Sequence, residues 1–199
     1  MVKAIGLVPS QVRILLSAFM TVRITYFVHG TTTDNEQDKC TGWNPGELSK
    51  LGVEQSIKLK DQIKSKFDVI FCSDLKRAVV SVKLTFGDSV QIIQDKRLRE
   101  CNYGDLNGAP SEKVEKIRQQ CIDKPFPNGE SYKDVEKRMR SFLEDLKKKY
   151  SGKHIAIVAH QAPQLALDVV LKGKSWIQAM KEDWRHKKAW QPGWDYILE

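Results

Sequence analysis

The stretch VRITYFVHGTTTDN, running from Val22 to Asn35, decides how the rest of the chain is read. Val22–Val28 is a run of β-branched and aromatic residues, the pattern of a buried strand. It stops at His29-Gly30, and a polar loop follows through Asn44-Pro45-Gly46. Outward from there, residues 48–66 carry Leu51, Ile57 and Ile63 at helical spacing, and 67–72 (FDVIFC) form a second short strand. Ser73-Asp74 is expected to cap a helix reaching about Thr85. Residues 90–93 are expected as a third strand. The stretch 95–130 is irregular, with Gly104, Gly108, Pro110, Pro125, Pro127 and Gly129, and holds one helix near 111–121, with Ser111, Val114, Ile117 and Cys121 on one face. Ser131 and Asp134 have the spacing of a capping box, and Val135, Met139, Phe142, Leu143 and Leu146 then line one helical face. His154–Ala159 (HIAIVA) is a further buried strand, Pro163 suits the first turn of the helix after it, and Trp194–Leu198 is expected as an edge strand. Strands alternating with helices predict an α/β fold with a largely parallel sheet and right-handed crossovers.

Composition narrows the partners. The chain has 199 residues, 41% hydrophobic and 29% charged, which suits one soluble globular domain. Its 33 basic and 25 acidic residues leave a net charge of +8, favouring anionic partners. The basic residues are scattered, with small clusters at 147–149 and 185–188, and neither cluster carries aromatic interleaving or a nucleic-acid-reading motif. A phosphorylated small molecule is therefore the expected partner, and neither nucleic acid nor a membrane is expected. No stretch approaches the roughly 20 apolar residues that span a bilayer. Residues 1–19 are apolar apart from Lys3 and Arg13 and are interrupted by Pro9, which breaks the pattern of an export signal. They are set apart as an atypical leader before a domain at 20–199. Cys40, Cys72, Cys101 and Cys121 are widely spaced, as expected of reduced thiols in a cytoplasmic protein. A homodimer remains open.

Three chemistry-bearing segments take equivalent places: His29 after the first strand, Ser73 to Arg77 after the second, and His160 after His154–Ala159. Open α/β sheets bind ligands beyond the carboxyl ends of their strands, so these segments are expected to converge. Arginine offers a planar fork to phosphate oxygens, and helix starts add backbone donors.

The order of motifs resembles the histidine phosphatase (phosphoglycerate mutase-like) superfamily. His29, Gly30, Thr32 and Asn35 match its opening Arg-His-Gly-Glu/Gln-Thr-x-x-Asn motif in identity and spacing. Thr41-Gly42-Trp43, Leu48-Ser49-Lys50-Leu51-Gly52, Ser73-Asp74-Leu75-Lys76-Arg77-Ala78, Leu98-Arg99-Glu100, Gly129-Glu130-Ser131 and Val158-Ala159-His160 resemble its later motifs, in order. The resemblance implies a three-layer α/β/α domain of phosphoglycerate mutase-like form and a two-step phosphoryl transfer. It implies that His29 attacks phosphorus and carries a phosphohistidine. Arg77, His160, the Asn35 side chain and donors near Thr41, Gly42 and Gln161 would hold the phosphoryl oxygens. Glu100 would protonate the leaving oxygen and then activate water. Neither a metal nor an organic cofactor is implied.

The departure is at residue 28, where the family's arginine is replaced by Val28. Removing one charged donor of this kind costs ~10²–10³ in rate. Lys39 and Arg99 are candidates for replacing it. Two functions follow: a phosphatase with altered chemistry, or a degenerate relative that binds a phosphorylated ligand without turnover. A mutase is the weaker expectation, because Cys101-Asn102 stand where mutases carry Arg-His after the glutamate and the 109–128 stretch is short.

Overall fold

In a computed structural model, residues 21–87, 91–187 and 193–199 are described. The leader at 1–19, Trp190 and the start of the expected third strand at residue 90 lie outside them. The elements are β1 (Val22–Val28), α1 (Thr33–Glu36), α2 (Lys50–Gln62), β2 (Val69–Cys72), α3 (Lys76–Phe86), β3 (Ile92–Gln94), α4 (Ser111–Ile117), α5 (Tyr132–Lys149), β4 (His154–Ala159), α6 (Gln161–Lys172), α7 (Trp176–Lys181) and β5 (Trp194–Leu198).

The sheet has the order β3-β2-β4-β1-β5. β1, β2, β3 and β4 are parallel, and β5 runs antiparallel along β1 as the expected edge strand. Strand alternation divides the core into two layers. Ile24, Tyr26, Val69, Phe71, Ile155 and Ile157 face α5, α6 and α7. Phe27, Ile70, Cys72, Ala156 and Val158 face α2 and α3 through Leu59 and Val82. This is the three-layer α/β/α architecture with a mostly parallel sheet.

Several boundaries shift, for physical reasons. Ser49 rather than Leu48 opens α2, its side chain accepting the Gly52 N–H. Ser73-Asp74 does not cap α3: Leu75 holds that position without a side-chain bond. Asp74 instead binds Arg99 through both carboxylate oxygens, at 2.7 and 2.6 Å. The helix expected to reach Cys121 ends at Ile117, and Cys121 lies in a separate 3-10 turn, Gln120–Ile122. The capping box at Ser131 and Asp134 forms as expected and starts α5. No helix among the described residues is long and apolar enough to cross a membrane.

Two glycines fix the loop that follows β1. A Cβ on Gly52 would lie 2.0 Å from the Thr31 carbonyl oxygen, and one on Gly30 would lie 2.2 Å from the Gly52 oxygen. Backbone therefore packs directly on backbone, which pins residues 30–32 against the start of α2. Gly52→Ala is expected to lower stability by ~1–3 kcal/mol, as overpacking does, and to reduce the denaturant midpoint. An unchanged midpoint would mean that the loop has room to yield.

Candidate active site

Parallel pairing sets Val28 opposite Ala159, and the His29 N–H donates to the Ala159 carbonyl at 3.1 Å. The residues after β1 and β4 are therefore neighbours. The His29 and His160 rings lie 4.9 Å apart between centroids. Tyr26, one turn of the pleat back on the face shared with α6, reinforces the junction. Its hydroxyl donates to the His160 carbonyl at 2.6 Å and accepts the His160 N–H at 2.9 Å.

The His29 tautomer follows from its partners. Nδ1 lies 2.7 Å from the Gly30 carbonyl oxygen, and a carbonyl only accepts, so Nδ1 carries the proton. Nε2 keeps its lone pair and accepts from Arg77 Nε at 3.3 Å. Burial, the Arg77 guanidinium and, further down, Arg185 lower the His29 pKa to about 3 against the opposing Gly30 bond. His160 is fully buried and is lowered well below the ordinary histidine value, by burial first and then by Arg77, His29, Arg138 and Arg185. Both rings are neutral at physiological pH.

Arg77, in the first turn of α3, is 2% exposed and reaches across to the loop at 41–44. Nη2 donates to the Gly42 carbonyl at 2.8 Å and Nη1 to that of Asn44 at 3.2 Å. Gly42 is left-handed (φ 57°), and a Cβ there would lie 1.7 Å from Asn107 Oδ1, so this loop conformation requires glycine. Asn35 lines the same cavity; its Oδ1 caps α1 by accepting from Thr32 N at 3.0 Å. Thr41 also lines it, and its buried Oγ1 has no partner.

Glu100 is 8% exposed and held from several directions. Oε1 accepts the N–H groups of Cys101 and Ala162, both at 2.9 Å, and Oε2 that of Gln161 at 3.1 Å. Two of these donors open α6. Only Oε2 retains an unfilled acceptor position. The Glu100 carbonyl in turn accepts from Trp43 Nε1 at 2.7 Å and Arg138 Nη2 at 2.9 Å. The expected donor at Gln161 is, in this ligand-free structure, engaged by Glu100 Oε2. Gly42, likewise, presents its carbonyl to Arg77.

A cavity of about 830 Å³ brings together His29, Asn35, Thr41, Gly42, Arg77, Glu100 and Gln161, with Val28 in its wall. His160, the remaining sequence-based site residue, is fully buried with its ring against that of His29 and does not line the cavity. Arg99 is not part of it: Asp74 holds that guanidinium, which lies 4.7 Å from the Trp43 ring centre. Lys39 lines the cavity and is bonded to Gln37 at 2.9 Å.

Three arginines beyond the sequence-based site also bear on its structure. Arg138 bonds the carbonyls of Arg97, Arg99 and Glu100 and the Glu130 carboxylate, so it fixes the segment that carries Glu100. Its only sequence signal was an arginine on the α5 face near Glu130. Arg185 and Arg118 also line the cavity. Arg118 is 4% exposed, with its Nη2 unpartnered.

Comparison with known proteins places this geometry. The model of the histidine phosphatase superfamily (branch 1) matches residues 26–190. A 2,3-bisphosphoglycerate-dependent phosphoglycerate mutase of Methylorubrum extorquens is 31% identical over 163 residues, covering 73% of this chain and 76% of the relative. A mycobacterial glucosyl-3-phosphoglycerate phosphatase, solved as a complex with VO3, superposes with a TM-score of 0.69 at 27% identity, covering 79% of this chain and 86% of that one. Bacillus stearothermophilus YhfR shares the fold with a TM-score of 0.75 at 21% identity, covering 89% of this chain and 91% of that one.

The lowered histidine pKa values give a direct test. In an NMR titration of the ligand-free protein, the His29 ring signal is expected to stay constant from pH 8 to about pH 4, because protonation waits until about pH 3. A midpoint near the ordinary value of about 6.5 would show that the ring is more open to water than its setting implies.

Proposed function

The chain belongs to the histidine phosphatase superfamily, and from that premise we propose that it hydrolyses phosphomonoesters through a phosphohistidine at His29. The observation that carries this reading is the tautomer: a neutral imidazole, its Nδ1–H anchored on Gly30 and its Nε2 lone pair turned to Arg77.

In the first step Nε2 attacks phosphorus in line and the bond to the leaving oxygen breaks. That oxygen takes a proton delivered at Glu100 Oε2. Arg77, His160, Thr41 and Asn35 hold the equatorial oxygens, on which transition-state charge spreads. In the second step water attacks the phosphohistidine and gives its proton to Glu100. Inorganic phosphate leaves, and His29 regains its lone pair. Gln161 and Ala162 keep the carboxylate in place through both steps.

The cavity volume exceeds what a phosphoryl group needs, so the ester's organic portion also lies within it. Val28 favours a second reading, a relative that binds a phosphorylated ligand without turnover, since valine donates nothing to the phosphoryl group. The retention of His29, Glu100 and Arg77 in one cavity, with the buried His160 ring beside His29, argues for turnover. A binding protein needs neither a nucleophile nor a proton carrier.

Hydrolysis of an aryl phosphate by wild type, His29→Ala and Glu100→Gln tests this. Wild type is expected to turn over slowly and His29→Ala not at all. Glu100→Gln should lose ~10²–10⁴ in kcat, the usual contribution of a positioned acid or base. With 3-phosphoglycerate, no isomerisation is expected. Isomerisation with only a trace of hydrolysis would make the protein a mutase, and equal rates in wild type and His29→Ala would refute the histidine route.

A further inference from the structure

Position 28 leaves the phosphoryl site one guanidinium short, and the cavity contains another. The 3-10 turn Trp184–Lys187 brings Arg185 into the wall of the cavity that Val28 and His29 share. Its side chain is 25% exposed, so it can meet a ligand without being freely solvated. Nη1 donates to Asp183 Oδ1 at 2.9 Å, and the Arg185 backbone N–H reaches the same oxygen at 3.1 Å. The guanidinium also lies over the Trp184 ring, 4.8 Å from its centre. Asp183 is buried, and its other oxygen accepts from the Gln161 side-chain amide. A short chain of contacts thus ties Arg185 to the residue that follows His160. Nε and Nη2 have no partner among the described residues, which leaves donors available to phosphate oxygens.

The other basic candidates are less suited. Arg99 is closed by Asp74, and Lys39 presents a single ammonium already bonded to Gln37. Arg118 keeps Nη2 open beyond its bonds to Glu115 and Tyr132, but its charge is not among those that act on His29 or His160. Among the described residues, Arg77 and Arg185 are the two arginines whose charge lowers both His29 and His160.

We propose that Arg185 holds the transferred phosphoryl group in place of the arginine that position 28 lacks. The inference rests on reading this cavity as a phosphoryl site. It assigns to the C-terminal turn a donor that the superfamily's opening motif supplies from the end of the first strand. Asp183 and Gln161 become positioning residues for that donor. Arginine suits the task because its fork can keep one arm on Asp183 while the other arm meets the anion.

The test measures inorganic phosphate binding by calorimetry for wild type, Arg185→Gln, Arg185→Lys and the double variant Val28→Arg/Arg185→Gln, with thermal melting alongside. Arg185→Gln is expected to weaken binding ~10–100-fold, as expected for loss of a charge-assisted bond. Arg185→Lys should recover part of the loss, and the double variant should return to within a few-fold of wild type. Rescue from position 28 is an outcome that a purely structural role for Arg185 does not produce. Arg185→Gln binding phosphate as wild type does, or a folded double variant that stays weak, would overturn the proposal. Aryl phosphate turnover in the same samples separates the two readings. Phosphate affinity that depends on Arg185 without any turnover would keep this assignment and remove the hydrolase. Turnover that is insensitive to Arg185 would do the reverse, and a wild type that binds no phosphate would overturn both.

Discussion

The register of β1 against β4 is the constraint on which the site depends. One residue of slip would turn every side chain of β1 to the opposite face, moving Tyr26 out of the layer it shares with Ile155, Ile157 and α6. Tyr26 makes that slip costly in a second way. Its buried hydroxyl closes two hydrogen bonds on the His160 backbone, and a buried N–H and C=O left unmade cost ~1–3 kcal/mol each. A core tyrosine thereby sets the distance between two histidines that lie 131 positions apart in the chain (160 − 29).

Around those histidines the ligand-free cavity is electrostatically unfinished. Arg77 and Arg185 direct positive charge at two neutral rings. Among the described residues, the buried polar atoms without partners include Thr41 Oγ1, Arg118 Nη2 and Trp184 Nε1, whose residues line the cavity, and both ring nitrogens of His160 beside His29. Native proteins rarely leave such groups unsatisfied without a functional reason. An anion entering the cavity supplies acceptors to the donors among these atoms and relieves the mutual repulsion of the cations. The binding preference and the neutral nucleophile therefore have one origin, the two guanidiniums of Arg77 and Arg185 beside the histidines, although Asp38, Glu100 and Glu115 also line the pocket. Glu100 is kept apart by its own three N–H donors.

Much of this was legible in the residues. β1, β4 and β5 have the expected bounds: β4 is buried along nearly its whole length and reads as a continuous hydrophobic stretch, whereas β5 alternates buried and exposed residues as an edge strand. His29, Arg77 and Glu100 share a cavity, and His160 packs against His29, because each stands at a strand end or in an ordered motif. What local sequence could not convey was long-range commitment. Asp74 looked like a helix cap, but an arginine 25 residues away claims it. The Gln161 N–H reaches Glu100, 61 residues away in the chain. Arg185 sat in a charged cluster indistinguishable from solvated surface, since only the path of the C-terminal turn brings it to the cavity. Arg138 was hidden for the same reason: its partners are carbonyls, which leave no trace in a residue pattern.

The nucleophile itself is the central point, and chemical trapping addresses it most directly. After brief mixing with a phosphomonoester and alkaline quench, peptide mapping by mass spectrometry is expected to find one acid-labile, base-stable phosphoryl group on His29, absent from His29→Ala. Hydrolysis proceeding with no such adduct, or with the phosphoryl group on His160 instead, would contradict the assignment of His29 Nε2 as the attacking atom.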